Sequence, residues 1–227
     1  MSASSPQRLT AVTDEHLQRL AVFPLGNVVL LPHAILPLNI FEPRYRQMVE
    51  HALERRAPIA IARINPAAAS GRTPALHPIV GVGTVLRSDR LDDGRFQLLL
   101  RGAGRARIVQ EHEPLWKYRE FQVDWATDEI DDESACEERQ QELREVLRAM
   151  TTAQPSLATV FARLAAMQAP PAVYADLVGE VIVRQDDERA QLMDTLNVHR
   201  RLEQLIDRAC VLLANAAPPR SSGSPMN

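Results

Sequence analysis

Residues 23–49, FPLGNVVLLPHAILPLNIFEPRYRQMV, decide the fold. Val28 to Leu31 is an aliphatic, β-branched run, Pro32-His33 imposes a turn, and Ile35 to Ile40 resumes the extended apolar pattern. Pro43 suits the first turn of a helix, where its missing N–H costs nothing, and Tyr45, Met48, Val49, Ala52 and Leu53 then fall on one face. The stretch reads as strand, turn, strand and a helix from about Pro43 to Arg56.

Downstream of that helix the period-two pattern continues. Ile59 to Ile64 reads as a short buried strand and residues 66–74 as a surface loop. In Ile79 to Leu86 the residues Val80, Val82, Thr84 and Leu86 share one side, and Gly81 and Gly83 leave no room for a bulky neighbour on the other. Asp92-Asp93-Gly94 is a hairpin signal before Phe96 to Arg101, Gly102 and Gly104 mark a bulge, and Lys117 to Trp125 closes the series.

Beyond the acidic stretch Asp128 to Glu138 the period changes to 3.6. Ser156, Asp186 or Asp187, and Asn197 are expected caps, and Pro170-Pro171 opens a further helix. The last helix carries Leu202, Leu205, Ile206, Ala209, Leu212 and Leu213 as its apolar stripe. The expected class is α+β: an N-terminal curved antiparallel β-sheet or pseudo-barrel with one helix, then a C-terminal helical bundle. The expected boundaries are a mobile 1–18, a β-rich 19–127, a helical 128–215 and a mobile tail 216–227.

Three blocks carry a resemblance. FPLGNVVLLPHAILPLNIFEPRY, VGTVLRSDRLDDGRFQLLLRGAGRARI and DERAQLMDTLNVHRRLEQLIDRACVLL resemble the motifs of the N-terminal substrate-binding domain of Lon proteases, in order and over about residues 19–214. Asn197 stands where that family usually has aspartate. The resemblance implies a β-rich subdomain followed by a helical one, engaging unfolded or degron-bearing polypeptides. Full Lon proteases continue into an ATPase and a Ser-Lys peptidase, so the resemblance is to a standalone substrate-binding domain without either activity.

Composition narrows the chemistry. A net charge of -3 on 227 residues offers no electrostatic footprint for nucleic acid or an anionic membrane, and no apolar run approaches a membrane span. Cys136 and Cys210, the two cysteines, form no CxxC pair, which fits a reducing cytoplasm. Lys117 is the only lysine among 26 basic residues, so there is no GxxxxGK[ST] phosphate loop and at most one lysine for a catalytic dyad.

No catalytic, cofactor or metal site emerges. His51 and Glu54 share a helix face without a third ligand and read as a surface pair. Arg101, Arg105 and Arg107 read as a solvated or ion-paired face, and the acidic run as a solvated helix N-terminus. Ser88, Ser134, Ser156 and Cys136 lack a nucleophile signature. What remains is apolar recognition: Leu31, Ile35, Leu36, Leu38, Ile40 and Phe41 exceed what one sheet face needs. The candidate polypeptide-binding residues are therefore Ile35, Leu36, Phe41, Arg44 and Tyr45, and the expected partners are polypeptide substrates or a separate protease. Glu42 and Arg44 are expected to fix the strand-to-helix junction, with Glu42 reaching Arg105 or Arg101. The competing class is a hydrolase with an active site assembled from distant residues.

Overall fold

The computed structural model describes residues 11–68 and 74–216. These fall into two compact units. One holds the described residues up to Glu129 together with Arg184–Leu196, the other Ile130–Val183 with the described residues from Asn197 onward.

The first unit opens with a short helix, α1 (Asp14–Gln18), held at its start by the Thr13 N–H donating to His16 Nδ1 at 3.1 Å. Its Leu17 is buried, so this part of the expected mobile leader is anchored; residues 1–10 lie outside the described residues. Six strands follow: β1 (Leu20–Leu25), β2 (Ile35–Ile40), β3 (Ile59–Arg63), β4 (Ile79–Arg90), β5 (Phe96–Glu111) and β6 (Arg119–Trp125), with α2 (Pro43–Arg55) between β2 and β3. Pro43 occupies the first turn of α2, and Arg56 ends it in the left-handed conformation.

The sheet closes on itself. Its order is β5-β4-β3-β1-β6, β6 pairs back onto β5, and β2 is an extra strand on the first half of β5. Closure depends on the length of β5 and on the bulge at Gly102–Gly104, where β5 gains a residue against Val82 and Gly83 and bends. One pair departs from the antiparallel expectation: β1 and β3 run parallel, since the connection through β2 and α2 is long enough to return the chain in the same direction. Leu17, Leu20, Val22, Val80, Val82, Phe121 and Val123 fill the interior around Ala60, Ala62 and Ala106.

Val28 to Leu31 is not a strand. The segment lies against the face of the sheet, where the Leu30 and Leu31 carbonyls press onto Gly81 and Gly102 so closely that a Cβ on either glycine would collide with them. Val29, Leu30 and Leu31 are nonetheless buried, and a run buried on all sides has the same apolar signature as an inner strand. His33, at φ 66°, turns the chain and donates its N–H to the Gly102 carbonyl at 2.9 Å. The β4–β5 hairpin turns at Gly94 (φ 81°) as its Asp-Asp-Gly signal predicts.

The second unit is helical: α3 (Glu133–Ala153), α4 (Ala158–Ala166), α5 (Pro171–Ile182) and, after the first unit's α6 (Asp186–Asp194), α7 (Val198–Ala216). Asp132 caps α3 by accepting from Ala135 N–H at 3.1 Å. Ser156 caps nothing, because Pro155–Leu157 form a 3₁₀ turn and α4 begins after it. Neither Asp186 nor Asp187 is the cap of α6; the capping position is Gln185, one residue before the helix begins.

The expected single helical stretch 128–215 is divided, because α6 packs with the sheet unit. Arg63 donates to both carboxylate oxygens of Asp194 at 2.6 Å, and Arg105 to the carbonyls of Met193 and Leu192 at 3.2 and 3.3 Å. Helical periodicity identifies a helix but not the core it joins. The tail from residue 217 lies outside the described residues.

Asn197 caps α7 as predicted, its Oδ1 accepting from Arg200 N–H at 3.0 Å, while its Nδ2 donates to Asp131 Oδ2 at 2.8 Å. The second bond makes the amide more than a stand-in for aspartate. Asn197→Asp keeps the cap but sets two carboxylates against each other. It is expected to lower stability by about 1 kcal/mol at neutral pH, with the loss shrinking as pH falls toward the carboxylate range near ~4, where one group takes up a proton. Urea unfolding at pH 7 and pH 4 measures both values.

Candidate functional site

The predicted recognition residues cluster on β2 and the junction that follows it, with one exception. Leu98 and Leu100 are buried on β5, so period two sends Leu36, Leu38 and Ile40 of β2 to the covered face and Ile35, Pro37 and Asn39 to the open one. Ile35 is 43% exposed and Phe41, just past the strand, 63%. Leu36 is half-buried, and Arg44 is exposed. Tyr45 belongs to the core: its ring meets Phe23 with centroids 4.3 Å apart, and burial pushes its hydroxyl pKa up. It is packed inside and does not line the open face. Of the six apolar residues that exceed what one sheet face needs, Leu31 and Ile40 are also core.

A groove lies beside β2. Pro37, Leu38 and Asn39 border an open depression of about 440 Å³ shared with Arg87, Asp89, Gln97, Leu98 and Leu99 of β4 and β5. The β5 contributors escaped the sequence reading. Their signal was available in FQLLLR, where Gln97, Leu99 and Arg101 alternate with buried neighbours.

The junction charges pair locally. Arg44 Nε and Nη2 lie 3.0 and 2.8 Å from Glu42 Oε2, so the expected bond from Glu42 to Arg105 or Arg101 is not made. Arg105 is buried at 3% exposure and is spent on α6 carbonyls, with Asp128 at 3.9 Å, whereas Arg101 points outward. Of the expected solvated or ion-paired face, Arg101 and Arg107 are exposed, and Arg105 is ion-paired but buried.

The other candidates resolve into packing. His51 shares a 2.8 Å hydrogen bond with the Tyr118 hydroxyl and meets Trp116 edge-on at 4.4 Å. Burial, reinforced by the Glu120 charge, pushes Tyr118 up to about 12. The cavity beside it measures about 40 Å³ and is bordered by the Arg19–Glu120 ion pair at 2.9 Å, which leaves room for little more than water. In the helical unit, burial and then the nearby Asp132, Asp131 and Glu133 push the Cys136 thiol up, the reverse of what a nucleophile needs. Among the described residues no group of three or more His, Cys, Asp or Glu side chains is placed to hold a metal, and no helix is long and apolar enough to cross a membrane.

The sequence profile of the ATP-dependent protease La (LON) substrate-binding domain matches residues 19–209. The chain belongs to this family. Among solved structures, the N-terminal domain of the Mycobacterium avium complex Lon protease superposes with a TM-score of 0.65 at 19% identity, over 85% of this chain and 98% of that one. The Lon N-terminal domain protein from Xanthomonas campestris gives 0.57 at 23%, over 83% and 97%. These likenesses establish the Lon N-terminal fold. Curated relatives include Lon proteases of Roseiflexus castenholzii, 29% identical over 82% of this chain, and Desulfosudis oleivorans, 22% over 87%. The chain spans 23% and 24% of their lengths.

Proposed function

We propose that this Lon-type domain is a non-enzymatic, cytoplasmic binder of unfolded or degron-bearing polypeptides, and that it brings them to a protease as adaptor or substrate-binding part. The supporting observation is the exposure of Phe41 and Ile35 at the two ends of one strand that borders an open groove. Such an arrangement suits an extended chain with apolar side chains. A hydrolase reading has nothing comparable in its favour.

Exposed aromatic anchors carry a large share of interface energy. Phe41→Ser is expected to weaken binding of an unfolded, alkylated protein about 10-fold. Its unfolding free energy should stay within about 0.5 kcal/mol of the parent, since the side chain is mostly in solvent. Fluorescence anisotropy and urea unfolding give the two values; unchanged affinity contradicts the assignment. The purified 227-residue chain is further expected to show no specific ATP turnover. Turnover abolished by mutating a defined site within it overturns the non-enzymatic reading.

A further inference from the structure

The outer edge of β2 has no strand paired to it among the described residues. The Gly102 N–H donates to the Ala34 carbonyl at 2.9 Å, which fixes the phase of the β2–β5 ladder. Even-numbered residues of β2 bond to β5, and Ile35, Pro37 and Asn39 turn their backbone groups outward. Pro37, having no N–H, sits where the ladder to β5 loses nothing. The edge thus offers three carbonyls and two N–H groups at alternate positions. No hydrogen bond engages the N–H of Ile35 or Asn39 among the described residues.

The flanks are asymmetric. Phe41 stands beyond the C-terminal end of the edge, and Arg101 lies opposite Ile35 at the other. Arg87 is neutralised by Asp89 at 2.8 Å, but Arg101 has no ion pair or hydrogen bond among the described residues. One end of the open face therefore carries an uncompensated positive charge. An antiparallel incoming strand runs from Phe41 toward Ile35, so its C-terminal end arrives beside Ile35, with Arg101 one strand further in on the same open face.

We propose that β2 takes up its client as an added antiparallel strand, with an apolar segment along Pro37 and Asn39 and a carboxylate at the client's C-terminal end facing Arg101. This rests on the polypeptide-binding reading above and specifies its geometry. Three carbonyls and two donors complement an extended backbone, while the groove beside Leu99 receives alternate side chains. Proline at the centre of the edge removes one donor, which limits self-pairing between copies without closing the edge to a client.

The test uses a fluorescein-labelled octapeptide of alternating threonine and valine with a free C-terminal carboxylate, scanned by backbone N-methylation. Methyl groups at every second residue are expected to weaken binding 10-fold or more, and those between them less than 2-fold, because only alternate N–H groups face β2. Amidating the C-terminus should weaken binding several-fold in the parent and not in Arg101→Gln, whose exposed position leaves the fold intact. A flat N-methyl profile, or no octapeptide binding while an unfolded, alkylated protein binds, overturns strand addition and leaves the polypeptide reading standing. An equal effect of amidation in both proteins overturns the role of Arg101. Failure of both probes to bind the parent overturns the polypeptide reading together with this one.

Discussion

Gly102→Ala is expected to destabilise the β unit by about 3 kcal/mol or more, although it adds a single methyl group. The added Cβ would collide with the Leu31 carbonyl and lie 3.2 Å from the His33 nitrogen, both backbone atoms that cannot rotate away. Relief requires lifting the Val28–Leu31 segment off the sheet, which uncovers Val29, Leu30 and Leu31 and breaks the paired hydrogen bonds between Gly102 and the His33 turn. Gly81→Ala meets the Leu30 carbonyl in the same way and should behave alike. Gly26→Ala, with nothing within 4 Å of its added Cβ, is the control and should change stability by about 0.5 kcal/mol at most. Urea unfolding of the three variants separates close backbone approach from a general cost of replacing glycine.

The second large effect lies in the helical unit. Arg201 is fully buried on α7, with Nε 3.7 Å from Oδ1 of Asp176, itself 4% exposed on α5. Arg201→Met removes a compensating charge from beside a buried carboxylate, and deleting one partner of such a pair costs about 3–5 kcal/mol. The charge-free double variant Arg201→Met, Asp176→Leu is expected to regain most of that loss, because two apolar side chains no longer carry a desolvated charge. A double variant no better than the single one would mean that Arg201 acts through packing and its other polar contacts, with Asp176 a minor partner.

How far the sequence can be read depends on whether a feature is local. Pro43 at the start of α2, the Asp-Asp-Gly hairpin and the Asn197 cap are set by a few adjacent residues, and each appears where its residues place it. The glycines at 81, 83 and 102 are where Val28–Leu31 comes close to the sheet, a segment about fifty residues from Gly81 whose position no local pattern reveals. Its continuous burial imitates a strand. Long-range pairing was equally hidden: Arg105 looked like a surface arginine until α6 supplied the carbonyls that bury it, and Glu42 had a guanidinium two residues away. The candidate site follows the same division. Ile35 and Phe41 declared themselves as surplus apolar residues, Tyr45 was taken by the core through Phe23, and Leu99 and Arg101 joined the site only through the β2–β5 register.

Hydrogen exchange with and without a saturating unfolded, alkylated protein tests the binding surface most directly. The free edge of β2 predicts fast exchange at the Ile35 and Asn39 amides in the unliganded protein, and slowing of both in the complex, with little change at the already bonded Leu36 and Leu38. Protection confined to the helices of the second unit, with Ile35 and Asn39 unchanged, would place polypeptide recognition elsewhere and contradict the account.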